Sequence, residues 1–454
     1  MEALSVANDT AMSNPRWAGS SSVEPRWDLA FVGILGYFIV EYSRLPAMYP
    51  ILVPLQLGKV MVGLSVLGLL LSPRHGDNTT RIRPIYIALA SFFLAILLSI
   101  PLASFPGDAW DAIYDVFAVL ISGLLLGRIV ITPWRMRVAV FVYLVLNLKL
   151  AQFAVRGYLE GSSYRSAASL AAGGVGGGST GFFGNSSDFG VAMCVVWPLA
   201  GALLFARIGK FARLCLLISF AAYFGAILLC GSRGAVVGAA AAAAAAFLKN
   251  PKRIVGLFLV AVVLAGSWYL LPEASKDRMR SGLKWEEDKT ASQRITFWKA
   301  GLKMFSDHPV LGVGLANFPP SFATQYAPPE MIGQKWVPHN IVILALSELG
   351  LVGTVPLFIL WILFFRLNSQ TRKHLLACDP ANRQSFEYCM ALGLDFAFVG
   401  YFVSGCFVTV LYYPHFWVLL GLSVGLSRAC ARKALAGEAN ADPIQSRSHA
   451  WQTP

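Results

Sequence analysis

The chain has 454 residues, of which 56% are hydrophobic and only 13% charged, and its formal net charge is +13. An ordinary soluble domain carries roughly 25% charged residues, so an ordinary cytosolic enzyme, a disordered protein and a nucleic-acid binder are all excluded. A polytopic helical membrane protein fits, because about twelve spans of about 20 residues would use most of the apolar content.

In chain order, residues 1–27 are polar, carry Arg16 and Arg26, and form an expected cytoplasmic N-terminal tail. No cleavable signal peptide is expected, since the apolar run that follows is long enough to stay in the membrane. Transmembrane helices 1–9 are expected within 28–272, on apolar runs near 28–44, 47–72, 84–105, 111–131, 136–158, 185–206, 211–230, 234–248 and 253–272. The pairs 28–44/47–72 and 211–230/234–248 are tight, so a total of ten or eleven spans stays open beside twelve. Each run must be helical, because backbone groups in lipid have to bond within their own segment. A Gly-rich outer loop at 157–184 holds Gly173, Gly174, Gly176, Gly177 and Gly178.

The segment 273–339 is the only polar stretch large enough to be a small periplasmic domain. Its periodicity predicts a helix over 291–306, with Ser292 as cap and Ile295, Trp298, Leu302 and Phe305 on one face. Turn chemistry follows at Pro309, Gly312, Gly314, Pro319 and Pro320. Transmembrane helices 10–12 are expected within 340–431, on runs near 340–366, 385–411 and 413–431, and 432–454 form a cytoplasmic tail.

Positive charge orients the spans. Alternate short loops hold Arg74, Arg81 and Arg83, then Arg128, Arg135 and Arg137, then Arg207, Lys210 and Arg213, then Lys249, Lys252 and Arg253, then Arg366, Arg372 and Lys373, and last Arg428, Arg432 and Lys433. The opposite turns include 101–111, with Asp108 and Asp111 and no Lys or Arg, and the uncharged turn near Tyr412. Both termini are therefore expected in the cytoplasm, and the net positive charge is mostly a topological signal. The seven cysteines form no CxxC pair or His/Cys cluster, so no metal site is expected. No nucleotide-binding loop appears, and no cofactor is expected. Chemistry must occur at the membrane on a substrate activated elsewhere.

Charged residues within spans are costly and are functional candidates by default. Lys149, Gln152 and Arg156 share one face of the run 136–158, at i, i+3 and i+7, climbing toward the outer rim. Arg233 lies in the expected outer turn Gly231-Ser232-Arg233-Gly234. Glu348 lies two turns into the run that begins at Asn340, and Asp395 lies near the middle of the next. Lys149, Glu348 and Asp395 also fit a purely internal role, with Lys149 paired to Asp395 or Glu348. Arg156 and Arg233, at the rim, fit anion binding. Arg294, in the external helix, has the local pattern of a solvated face.

His339 lies between Pro338 and Asn340, where the external segment re-enters the membrane. Histidine is the usual general base near neutral pH; the alternative is a helix-start histidine that only hydrogen-bonds. His308 belongs to a turn, His415 to the last outer rim, His75 and His374 to cytoplasmic loops, and His449 to the tail. Outer-rim arginines with one histidine suit a diphosphate and a base, since the guanidinium fork matches phosphate oxygens. A lipid-linked diphosphate would arrive laterally from the bilayer.

These residues also carry a family resemblance. Four blocks resemble the O-antigen ligase / O-antigen polymerase superfamily of bacterial inner-membrane glycosyltransferases: Gly181-Phe182-Phe183-Gly184-Asn185-Ser186-Ser187-Asp188; Gly231-Ser232-Arg233-Gly234-Ala235; Arg294 with Trp298, His308-Pro309, Gly312-Val313-Gly314 and Asn317-Phe318; and His339-Asn340 with Glu348-Leu349-Gly350 and Gly353. In the first block Ser186-Ser187 replaces the usual Pro-Asn pair, so that motif is partial. The resemblance implies an all-α, GT-C-like membrane glycosyltransferase with about twelve spans and one larger periplasmic domain. The nearest likeness within it is the lipopolysaccharide O-antigen ligase. It implies a donor glycan on undecaprenyl diphosphate, a lipid A–core oligosaccharide acceptor, a periplasmic site in the inner membrane, and inverting transfer without metal. It makes Arg233 and Arg294 resemble diphosphate-binding arginines and His339 the catalytic histidine. Arg156 and Lys149 rest on the helix-face argument alone.

Rivals of the same class are an O-antigen polymerase and a protein O-oligosaccharyltransferase, which differ in acceptor. A rival of another class is a polysaccharide-lipid transporter or flippase, which broken helices and intramembrane charges would suit. The absence of matching halves and the asymmetric external segment weigh against it.

Overall fold

Apolar runs punctuated by proline become helices in the computed structural model, which describes residues 26–43, 49–72, 81–159, 186–249, 276 and 289–440. The helices are α1 (Leu29–Ser43), α2 (Leu57–Leu71), α3 (Arg83–Ser99), α4 (Pro106–Ile129), α5 (Pro133–Leu159), α6 (Ser186–Leu203), α7 (Lys210–Leu229), α8 (Arg233–Lys249), α9 (Lys289–Asp307), α10 (Ile341–Cys378), α11 (Phe386–Gly405) and α12 (Pro414–Asn440). No strand occurs among the described residues. α4, α5 and α12 begin at proline, and α3 has one in its first turn. There the missing N–H is harmless and the fixed φ suits a helix.

Eleven of the twelve expected runs coincide with a helix; the twelfth, 253–272, lies outside the described residues, as does most of the Gly-rich loop. Seven stretches among the described residues are long and apolar enough to cross a membrane, and α1 and α3 are shorter apolar helices. α10 runs on to Cys378, twelve residues beyond the expected 366. Beyond residue 366 nothing breaks it until Asp379, whose extended backbone precedes Pro380.

α6 packs on α11 and α7, α8 on α11, α3 on α10, α4 on α12, and α1 on α2. Small residues let the backbones meet: Gly400 lies on the Cys194 carbonyl, Gly238 on Ser404, and Gly123 on Trp417. Described residues of several loops expected in the cytoplasm meet one another. Arg135 pairs with Asp28 at 2.6 Å, Arg137 with Glu387 at 3.3 Å, the Arg207 N–H donates to the Gln384 carbonyl at 2.7 Å, and Arg428 donates to the Gly127 carbonyl at 3.1 Å.

Two expectations need correction. α9 starts at Lys289, so Ser292 lies inside it and does not cap it. Its buried face is also not the one expected. Phe297, Ala300 and Met304 are buried, whereas Ile295 and Leu302 are exposed. Small Ala300 and Gly301 allow α9 to lie against α10, with Gly301 on the Ile343 side chain. The inward face combines large Phe297 and Met304 with small Ala300 and Gly301, which let the helices approach closely.

Candidate functional site

The segment after α9 threads into the bundle. The Val313 carbonyl accepts from the Ser104 N–H at 2.8 Å, and the Asn317 side chain exchanges bonds with the Phe105 backbone at 2.5 and 3.1 Å. α10 opens to receive this segment. At Gly350 (φ 55°, ψ −155°) the helix is broken, in backbone space close to that reserved for glycine. The freed groups are satisfied by the entering chain: Val313 N–H to the Ser347 carbonyl at 2.8 Å, Gly314 N–H to that of Glu348 at 3.0 Å, Leu351 N–H to that of Pro309 at 2.9 Å, and Val352 N–H to that of Val310 at 3.0 Å. Broken helix is tolerated at membrane depth only where protein re-satisfies it.

Glu348 is buried at this junction. Its Oε1 accepts from the Phe318 N–H at 3.1 Å and its Oε2 from the Tyr412 hydroxyl at 2.9 Å. It therefore joins the external segment to the 406–413 turn between α11 and α12.

That turn is a hub. Thr409 Oγ1 accepts from the His339 N–H at 3.0 Å, and the Tyr413 hydroxyl donates to Asp188 Oδ2 at 3.3 Å. Phe407 lies against Gly234, the residue after Arg233. Arg233 begins α8, preceded by Gly231 at φ 65° and by Ser232, whose hydroxyl caps the Ala235 N–H at 3.4 Å. The start of α6, which carries Asp188, packs through Gly190 on Cys230 and Ala235.

His339 is half-buried with φ 49°, a left-handed conformation that is uncommon outside glycine though less so for His. Asn340 then caps α10, accepting from the Val342 and Ile343 N–H groups at 2.9 and 3.1 Å. α9 braces the same place. Trp298 Nε1–H donates to the Pro338 carbonyl at 2.9 Å, and the Phe297 ring lies 6.4 Å from the imidazole. Burial first, and the Arg294 guanidinium second, lower the His339 pKa to about 4, so the imidazole is neutral at physiological pH.

His339 and Glu348 thus both bond to the 406–413 turn, the Arg294 guanidinium acts electrostatically on His339, and Gly234, next to Arg233, packs on Phe407 of the same turn. Arg156 and Lys149 lie with Gln152 on an exposed face of α5, and Lys149 Nζ donates to the Ser43 carbonyl at 3.2 Å. The pairing of Lys149 with Asp395 or Glu348 is corrected. Asp395 pairs with Arg372 at 2.7 Å and accepts from Asn368 at 2.9 Å, far along the bundle from the hub. His308 is exposed in the turn after α9, as expected. Sequence reading gave no role to Thr409, Tyr412, Tyr413 or Asp188. The only signal was Asp188 inside the first block; the tyrosine pair looked like an uncharged turn. No group of three His, Cys, Asp or Glu side chains gathers among the described residues.

Residues 215–358 match a family model described as O-antigen ligase. The matched stretch includes Arg233, Arg294, His339 and Glu348 but not Lys149, Arg156 or Asp395. No curated protein matches the chain.

Proposed function

Because the chain contains an O-antigen ligase family domain over residues 215–358, we propose that it is a GT-C-like glycosyltransferase of the bacterial inner membrane, working at the periplasmic face. It moves glycan from undecaprenyl diphosphate to a hydroxyl of the lipid A–core oligosaccharide. The observation that carries this reading is His339 itself, half-buried, held by the Thr409 bond and the Asn340 cap at the start of α10, and lying within the stretch that matches the O-antigen ligase model, with burial and the Arg294 charge favouring its neutral form.

The acceptor hydroxyl gives its proton to His339 as its oxygen bonds to the anomeric carbon. On the opposite side the bond from that carbon to the diphosphate oxygen breaks, so configuration inverts. The leaving diphosphate gathers negative charge, and Arg294 and Arg233 are the cations that stabilise it in this reading. Arg156, exposed near the end of α5, helps bind the donor at the rim where the lipid arrives. The cations supply what a metal would otherwise supply, so the reaction is metal-independent.

The test uses purified protein, lipid-linked donor and excess chelator. Wild type transfers, and His339→Ala binds donor but does not transfer. Near-native turnover by the variant, or arrest of wild type by chelator, overturns the mechanism. Lipid A–core, a second lipid-linked glycan and a protein acceptor are offered in parallel, and product with either of the last two alone replaces the ligase reading by a polymerase or a protein O-oligosaccharyltransferase. Movement of donor across the bilayer without transfer replaces it by a flippase.

A further inference from the structure

Trp336, three residues before His339, is exposed, with 36% of its surface accessible. It is nevertheless fixed. One face stacks on Phe297, with centroids 5.6 Å apart and planes at 22°. Its Nε1–H donates to Gln334 Oε1 at 3.0 Å. Phe297 is itself buried, wedged edge-on against Phe322 at 5.3 Å, and its ring is the one that lies 6.4 Å from the imidazole. The Trp298 bond to the Pro338 carbonyl ties down the chain between the indole and His339.

We propose that the exposed ring of Trp336 is a sugar-stacking subsite that seats one pyranose ring beside His339. The inference rests on reading the site as a glycosyl-transfer centre and adds the residue that grips a sugar there. A pyranose presents C–H groups with partial positive charge on one face, and these complement the negative face of an aromatic ring. An indole already held by one face and by its N–H edge loses little freedom on binding. A membrane-interface tryptophan works differently, keeping its polar edge for the headgroup layer; here that edge is occupied within the protein. The sugar belongs either to the donor glycan or to the acceptor, and both present the same C–H face.

Full-length protein is compared as wild type, Trp336→Phe and Trp336→Leu, with donor and acceptor titrated separately. Trp336→Leu keeps apolar bulk and loses the flat face. It raises the KM of one glycan substrate about tenfold, with kcat within about twofold, and Trp336→Phe recovers most of the loss. The substrate whose KM rises owns the stacked ring. Unchanged KM values in Trp336→Leu would mean simple apolar anchoring and overturn the proposal, as would a fall in kcat alone. A second measurement does not depend on turnover. With 5-fluorotryptophan incorporated, the Trp336 ¹⁹F resonance is identified by its loss in Trp336→Phe. It shifts on adding lipid-free core oligosaccharide or lipid-free donor glycan, in wild type and in His339→Asn alike. No shift with either sugar overturns the subsite. Turnover retained by His339→Asn with the shift intact overturns the base mechanism and leaves the subsite standing.

Discussion

The left-handed backbone at His339 costs about 1–3 kcal/mol for a residue with a side chain, and the Thr409 bond and the Asn340 cap hold it there. Asparagine tolerates this conformation well. His339→Asn should therefore fold like wild type and lose transfer, which separates chemistry from backbone strain; thermal melting and turnover on the same preparation check it. The lowered pKa of His339 also sets a pH dependence. A base must be neutral, so activity falls as pH drops through its pKa. In the free enzyme that acid limb, read from kcat/KM, should lie at about 4. Bound diphosphate offsets the Arg294 charge and favours the imidazolium, so the acid limb of kcat should lie at higher pH. Coincident limbs in the two profiles would show that diphosphate does not approach the imidazole. At Arg233 and Arg294, change to Ala should lower kcat/KM by about 10²-fold or more, as for loss of one transition-state donor. Change to Lys should cost less, because charge survives while the fork is lost. Full activity of both alanine variants at native expression removes them from the site.

At the scale of elements, the break in α10 is what allows a polar external chain to reach into the bundle. Gly350→Ala would force a side chain into near-glycine-only backbone space and against the Val310 carbonyl. It should destabilise the protein by more than about 1–3 kcal/mol and reduce activity by loosening both the 309–314 segment and the start of α10. Glu348 acts across elements. Its two oxygens accept from Phe318 and Tyr412, and Glu348→Gln would turn an amide donor toward one of those donors. A cost of about 1–3 kcal/mol is expected, with Tyr412→Phe giving a smaller one and the double variant much less than the sum. Melting temperatures of the four proteins test this cycle, and simple additivity would break the proposed link between α10 and the turn.

At the scale of the molecule, two sets of contacts differ in kind. One holds Asp28–Arg135, Arg137–Glu387 and the Arg207 and Arg428 contacts, and the other holds the candidate site. With arginine-rich loops inside, reporter fusions near residue 300 and at the C-terminus should report opposite sides of the membrane; a shared side would invert or break this topology. The pairing of Asp395 with Arg372 gives a second check. Removing one partner of a buried pair costs about 3–5 kcal/mol, so Arg372→Met and Asp395→Asn should each destabilise strongly and the double variant less than their sum. Lys149→Met, exposed on α5, and Asp395→Asn, buried against Arg372, should simply add.

Helical content, the places of eleven of the apolar runs, the loops rich in arginine and the ordered blocks around Arg233, Arg294 and His339 were legible in the linear chain. Apolarity, proline breaks and charge act over one helix at a time, and the O-antigen ligase match falls on the same blocks. The partner of Asp395, the inward face of α9, the break at Gly350, the junction made by Glu348 and the 406–413 hub were decided only by tertiary structure. Each depends on groups far apart in sequence, such as Glu348 with Tyr412 or Asp188 with Tyr413. For a buried carboxylate, Lys149 and Arg372 are chemically equivalent candidates. Helix packing brings one within hydrogen-bond reach and leaves the other on an exposed face, and no local pattern records that choice.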